Sequence, residues 1–115
     1  MATIRSDGSR LDIVLSSLEK VGALTGSVTV PLSSITRVRY LPNAREGIRG
    51  IRAPGTGLPG VIALGWWRRR GGKDFVAVYR NRPGYVIDVV GEAVDRIVIG
   101  SVHVPELDAL ADSTR

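Results

Sequence analysis

Most of the chain alternates apolar and polar residues with a period of two, the pattern of half-buried β-strands. The clearest run is ITRVRYL, residues 35–41, where Val38 and Tyr40 fall on one face and Arg37 and Arg39 on the other. Four further strand signals follow, separated by short Gly- or Pro-containing connections: VIALGWW, DFVAVYR, YVIDVV and RIVIGSV. Because such short connections join antiparallel neighbours, we expect these strands to form a meander.

The segments at the two ends of the chain add a hairpin and two short helices to this prediction. TIRSDGSRLDIVLS indicates two strands around the two-residue turn Asp7-Gly8. SSLEKVGAL carries a capping-box pattern that favours a helix of about two turns, although a turn also suits it. After the strand SVTV, which Pro31 ends, the last element is VPELDALAD. There Pro105 suits the first helical position, and Leu107 and Leu110 share one face.

Residues 42–60, PNAREGIRGIRAPGTGLPG, contain five glycines and three prolines and no usable period. We interpret this stretch as one long loop. A loop of that length is uncommon in a compact domain and is usually associated with binding or disorder.

The segment GWWRRRGGKDF, residues 65–75, predicts a hairpin with Gly71-Gly72 as its turn. That turn places Arg69 opposite Asp74 and Trp67 opposite Val76. Its tip is interpreted as a solvated hairpin end, with an anion grip or a protein contact as the alternatives. Adjacent tryptophans on a strand point to opposite faces, so they cannot form one stacking platform for nucleic-acid bases.

Extending this register along the meander divides the apolar residues between two faces. We place Trp67 on the core face, and we expect the other face either to lie under the long loop or to join copies of the protein. The predicted core face carries Trp67, Val76, Val78, Ile87 and Val89, and the second carries Trp66, Phe75, Ala77, Tyr79, Val86 and Asp88.

Charge is unevenly distributed along the 115 residues, whose formal net charge is +5. Residues 37–82 hold eleven basic residues against Glu46 and Asp74, whereas residues 83–115 hold two basic residues against six acids. The two segments either neutralise each other, within or between molecules, or leave the basic one free to meet an anion. The candidate binding residues are therefore Arg45, Arg49, Arg52, Trp66, Arg68, Arg70 and Lys73.

Signals for catalysis are weak. The chain has no cysteine, and GTGLPG at residues 55–60 matches a dinucleotide-binding spacing but precedes a strand instead of opening a helix. We interpret the lone His103 as a surface or packing residue and Asp88 as an outward residue or an arginine partner. We expect a non-enzymatic protein without a cofactor or metal.

The chain also lacks a signal-peptide pattern and an apolar run long enough to cross a bilayer, so we expect a cytoplasmic location.

The order VPLSSITRVRYL, Gly/Pro loop, GLPGVIALGWW, GGKDFVAVYRNRPGYVIDV and VHVPELDALA resembles the bacterial pleckstrin-homology-like (PH-like) domains of uncharacterised actinobacterial proteins. The resemblance covers most of the chain and implies a single mainly β domain: about seven strands in a strongly bent antiparallel sheet, or partly open barrel, with a short C-terminal helix. It also implies a binding or oligomerising module. The clustered lysines of phosphoinositide-binding members are missing, since the first hairpin offers only Arg5 and Arg10 beside Asp7 and Asp12.

Two functional hypotheses lead, ahead of a third, which is a small-molecule enzyme. The first is a non-enzymatic interaction module that contacts protein and self-associates. The alternative is an electrostatic binder of nucleic acid or anionic lipid through residues 37–82.

Overall fold

A computed structural model of the chain describes residues 3–6, 9–14, 28–48, 51–52, 62–69, 72–79, 82–101 and 103–113. The helix predicted in SSLEKVGAL lies outside the described residues. The described part is mainly β with a short C-terminal helix, as predicted. Its strands and helices, in chain order, are β1 Thr3–Ser6, β2 Arg10–Val14, β3 Val28–Pro31, the 3₁₀ turn η1 Leu32–Ser34, β4 Ile35–Leu41, the 3₁₀ turn η2 Ala44–Gly47, β5 Ile51–Arg52, β6 Ile62–Arg69, β7 Gly72–Tyr79, β8 Gly84–Val89, β9 Arg96–Gly100 and α1 Pro105–Ser113.

Strands β1, β2 and β3 form a three-stranded antiparallel sheet. The predicted first hairpin is present, but Ser6 lies opposite Leu11, so four residues connect the paired positions instead of the two expected. β3 ends at Pro31, as predicted, and η1 leads directly into β4.

The other six strands form a second sheet in the order β4-β8-β9-β7-β6-β5. The predicted meander is wrong after β7, because β8 does not pair with it. β9 lies between them, antiparallel to β8 and parallel to β7. The short connection from β7 therefore skips one strand position, which turn length alone does not reveal. β4 completes the arrangement by pairing with β8, far along the chain.

The hairpin of β6 and β7 is present, but its register differs from the prediction. Trp67 lies opposite Asp74, Trp66 opposite Phe75, and Arg69 opposite Gly72. The predicted pairing of Arg69 with Asp74 is therefore wrong. The displacement is two residues, so the alternation of faces along β6 and β7 is unchanged.

Both faces of the six-stranded sheet bury apolar side chains. Face one, packed against the three-stranded sheet and α1, contributes to a cluster in which Trp66 is half-buried. Face two carries a smaller cluster that includes Trp67. Cluster one contains Leu11, Ile13, Val28, Val30, Val38, Phe75, Ala77, Tyr85, Ile87, Val89, Val94, Ile97, Ile99 and Leu107; cluster two contains Ala44, Trp67, Val76, Val78, Val86 and Val98.

The larger core is thus on the face of Trp66, not on that of Trp67 as predicted. Trp67 is nevertheless buried, with 7% of its surface exposed. The predicted faces of β8 are also exchanged: Val86 belongs with Trp67, and Ile87 with Phe75. The cause is β9, which aligns Val98 with both Val76 and Val86.

The segment predicted as one long loop, residues 42–60, contains η2 and β5. Asn43 caps η2 by accepting a hydrogen bond from the Arg45 N–H, and the Ala44 N–H donates to the Arg82 carbonyl. η2 lies so close to β8 that a Cβ at Gly47 would overlap the Val86 side chain. Part of the predicted loop therefore packs on face two, the face of Trp67, whereas the prediction considered the loop as a cover for the face of Trp66.

The basic and acidic segments also meet inside one molecule. β4 and β7 belong to the basic segment and pair with β8 and β9 of the acidic one. At one such contact, positions 37 and 88 lie opposite each other. α1 begins at Pro105, as predicted, and packs Leu107 and Leu110 onto cluster one.

Candidate binding cleft beside Trp66

The candidate basic residues do not converge on one face. Lys73 lies opposite Arg68, and the strand alternation places both positions on face one with Trp66. Position 52 lies opposite Trp67 on face two. Arg45 belongs to η2, which covers face two. Arg49 and Arg70 lie outside the described residues, as do the side chains of Arg52 and Arg68.

Trp66 is held by contacts on two sides. Its ring meets Phe75 edge to face, with centroids 5.1 Å apart and planes at 67°. The Lys73 ammonium lies 4.5 Å from the Trp66 ring centroid, a cation–π contact. The Lys73 backbone N–H donates to an Asp95 carboxylate oxygen at 3.0 Å. Lys73 thus contacts Trp66 through its side chain and Asp95 through its backbone.

An open cleft of about 220 Å³ adjoins Trp66 where β3 approaches the connection between β8 and β9. Its walls are mostly apolar, and Glu92 supplies a carboxylate, which accepts a hydrogen bond from the Ser34 hydroxyl at 2.9 Å. The lining residues are Val28, Thr29, Val30, Trp66, Glu92, Ala93 and Val94. Such a volume is below that of a typical cofactor pocket and suits one or two side chains of a ligand.

One wall of the cleft is the outer edge of β3, since three consecutive β3 residues line it although their side chains alternate between faces. The Leu32 N–H donates to the Ser9 carbonyl, which marks that pair as hydrogen-bonded. Hydrogen-bonded and non-hydrogen-bonded pairs alternate along an antiparallel ladder. Thr29, opposite Asp12, is therefore in a non-hydrogen-bonded pair, and its backbone N–H and C=O point away from β2.

Pro31 fits the same alternation. It lies opposite Arg10 in a non-hydrogen-bonded pair, so its missing N–H costs the ladder with β2 nothing. Proline also prevents a further strand from pairing fully at that end. Among the described residues of β3, the complete outward pair of donor and acceptor is thus at Thr29.

A second polar cluster lies where α1 meets the sheet. The Tyr85 hydroxyl donates to Asp108 Oδ1 at 2.6 Å and accepts from the Val104 N–H at 2.7 Å. His103 stacks on Tyr40 with centroids 3.8 Å apart, and its Nδ1 lies 3.1 Å from the Asp108 carboxylate. His103 is a surface packing residue, as predicted, with 64% of its side chain exposed.

These contacts shift two ionisation equilibria. Burial, reinforced by the hydrogen bond to Asp108, raises the pKa of Tyr85 to about 12. The hydrogen bonds from Tyr85 and His103 lower the pKa of Asp108 below its usual value. Tyr85 is thus a neutral donor and Asp108 a charged acceptor at neutral pH, an arrangement that anchors α1.

Asp88 is an arginine partner, one of the two roles predicted for it. Arg96 Nε donates to Asp88 Oδ1 at 2.6 Å, and Arg96 Nη1 donates to the Gly47 carbonyl at 3.1 Å. This pair lies on face two, whereas His103 packs by Tyr85 on face one, so the two groups do not share a site. Within the described ranges, no three His, Cys, Asp or Glu residues are grouped as metal ligands would be.

The sequence points to Trp66 but carries no direct sign of the cleft beside it, which includes Thr29 and Glu92. Pro31 was a usable signal, because proline within a strand marks an edge. Residues 92–94 reach that edge from a distant part of the chain, so their contact with it produces no pattern in the local sequence.

Comparisons with known proteins identify no relative: no family model, no curated protein and no solved structure matches the chain. In the described part of the chain, no helix has the length and apolar character required to cross a membrane.

Proposed function

We propose that this chain is a non-enzymatic interaction module, PH-like in kind, that contacts protein, its own copies included, through the cleft beside Trp66. The observation that supports this most is the cleft itself. It combines an aromatic wall, a carboxylate and an outward-facing strand edge, a combination suited to protein contacts.

The positions of the acids support the same proposal. Asp88 binds Arg96, Asp108 binds Tyr85 and His103, and Asp12 accepts a hydrogen bond from the Thr29 hydroxyl at 2.7 Å. Each of these carboxylates holds neighbouring elements together. Their engagement in structural contacts favours binding over acid–base chemistry as the role of the described surface.

The experiment is a measurement of molar mass by sedimentation from low to high micromolar concentration at moderate salt. We expect mass to rise with concentration in the wild type and to rise less in Ala93→Arg, which places a charge in the cleft. Val90→Arg is the matched control, because Val90 is on the same connection, is 61% exposed and does not line the cleft.

A monomer at every concentration would end the self-association part of the proposal. Equal effects of the two arginine variants would remove the cleft from it. Salt-dependent retention on mixed-sequence DNA or anionic vesicles, with an unchanged monomer mass, would favour the electrostatic alternative.

A further inference from the structure

We propose that the cleft binds an extended segment of a partner protein as an added strand on β3, and that this segment alternates apolar, basic and apolar residues. This inference rests on the proposed function and specifies its ligand. It joins three observations: the outward backbone groups of Thr29, the apolar cleft wall beyond them, and the two carboxylates beside this edge.

The backbone of Thr29 supplies the pairing. Its N–H and C=O point away from β2, and Thr29 lines the cleft. A partner residue opposite Thr29 exchanges both backbone hydrogen bonds with it, which is the mode of strand addition to an open sheet edge. Pro31 prevents complete pairing two residues further on, so the register of the added strand is centred on Thr29.

The side-chain pattern of the ligand follows from the period of two. The residue opposite Thr29 lies on the same side as Thr29, whose side chain is exposed and bonded to Asp12. The residues before and after it lie on the inner side, with Val28 and Val30, which are buried in cluster one. The inner residues of the ligand are therefore apolar.

The charges select a basic residue at the centre of the segment. Asp12 lies beside Thr29, and Glu92 lines the cleft. Lys73 already places a cation on Trp66, so a second cation would be repelled there, and Trp66 takes an apolar side chain instead. The basic side chain thus belongs on the outer side, near Asp12, within the field of both carboxylates.

The probe is a fluorescein-labelled peptide, Gly-Ser-Leu-Arg-Leu-Ser-Gly, titrated with the full chain and followed by anisotropy. Two control peptides differ from the probe by one feature each. The first is methylated on the backbone amide nitrogen of its arginine, and the second has glutamate in place of the arginine. We expect saturable binding of the probe. N-methylation should weaken it by about tenfold, because it removes one of the two backbone bonds to Thr29. The glutamate peptide should bind more weakly, and the difference should shrink as salt is raised.

Two matched pairs of variants test the protein side. Thr29→Pro removes the outward N–H but none of the ladder bonds to β2, and it should weaken probe binding by about tenfold. Thr29→Val loses the hydrogen bond to Asp12 but keeps that N–H, so its affinity should stay close to wild type. Glu92→Gln should weaken binding of the probe. Glu46→Gln should leave that binding unchanged, because Glu46 is an exposed acid on η2, over the other face of the sheet.

Lack of saturable binding by the Leu-Arg-Leu probe would overturn the proposal, as would equal binding of the N-methylated peptide. If Thr29→Pro fails to fold, the N-methylated peptide still decides the matter. The sedimentation experiment uses no peptide, so a failed probe with an intact Ala93→Arg effect overturns only the ligand class. If no peptide binds and Thr29→Pro abolishes self-association, the cleft is occupied by a second copy of the chain. The inference that it binds a segment of a partner protein is then wrong.

Discussion

The two faces of the six-stranded sheet are both buried, yet they are covered in different ways. Face one is covered by a second sheet and α1, and cluster one contains fourteen buried residues of the described chain. Face two is covered, among the described elements, by the 3₁₀ turn η2, and cluster two contains six. A second sheet and a helix exclude water from a wide apolar area, whereas a single 3₁₀ turn depends on close packing at a few contacts.

The polar groups of the two faces differ accordingly. On face one the buried Tyr85 hydroxyl is bonded at the margin, where α1 begins. On face two, charged residues lie beside the apolar centre: Asp74 is fully buried, and Asp88 pairs with Arg96. Arg96 also bonds to the Gly47 carbonyl, so a charged pair ties η2 to the sheet. η2 is thus held on face two by directional hydrogen bonds as well as by packing.

The largest expected effect is the loss of an aromatic side chain from either cluster. Phe75→Ala should cost about 3–5 kcal/mol of unfolding free energy, because Phe75 is fully buried in cluster one. Trp67→Ala should cost about 3 kcal/mol, at the low end of that range, since η2 can move into part of the space. Urea denaturation of both variants measures the difference. A cost for Trp67→Ala well above that for Phe75→Ala would show that face two is the more rigid core.

The existence of the strands could be predicted from the sequence more fully than the order in which they pair in the sheet. The alternation in β4 correctly separates Val38 and Tyr40 from Arg37 and Arg39, because a single strand obeys the period of two without reference to its partner. The faces of β8 could not be derived in this way. They depend on β9 inserting between β7 and β8, and the turn after β7 carries no information about a skipped position.

The candidate site was predicted only in part, for a similar reason. Trp66 and Lys73 are neighbours across a hairpin, so local pairing brings them to one face. Arg45 and Arg52 belong to the same basic segment, residues 37–82, yet η2 and β5 place positions 45 and 52 on the other side of the sheet. Net charge over a segment does not specify a face.

The polar margin of face one can be tested by alkaline denaturation. Because the pKa of Tyr85 is about 12 in the folded protein and 10 ordinarily, folding favours the neutral hydroxyl. The stabilisation is complete below pH 10 and is lost as pH rises from 10 to about 12, amounting to about 2–3 kcal/mol. Urea midpoints measured across this range should fall more steeply for the wild type than for Tyr85→Phe. Parallel curves would show that Tyr85 ionises as freely in the folded chain as in the unfolded one.

The close fit on face two can be tested at Gly47. Gly47→Ala forces a methyl group against the Val86 side chain and should cost about 1–3 kcal/mol. Adding Val86→Ala removes the overlap, so the double variant should be more stable than the sum of the single effects by roughly 0.5–3 kcal/mol. A double-mutant cycle by urea denaturation gives this coupling directly. Strict additivity would mean that η2 does not press on β8.

The smallest effect is expected where face one opens into the cleft. Lys73→Gln removes the ammonium from the Trp66 ring but keeps the backbone N–H that bonds to Asp95, so it should cost only about 0.5–1 kcal/mol. Lys73→Arg, which preserves the cation, should cost less, and it serves as the control. Trp66 fluorescence, recorded against a Trp67→Phe background, should shift in Lys73→Gln and return toward the parent spectrum in Lys73→Arg. If both variants leave that spectrum unchanged, Lys73 does not position Trp66, and the aromatic wall of the cleft owes its placement to Phe75 alone.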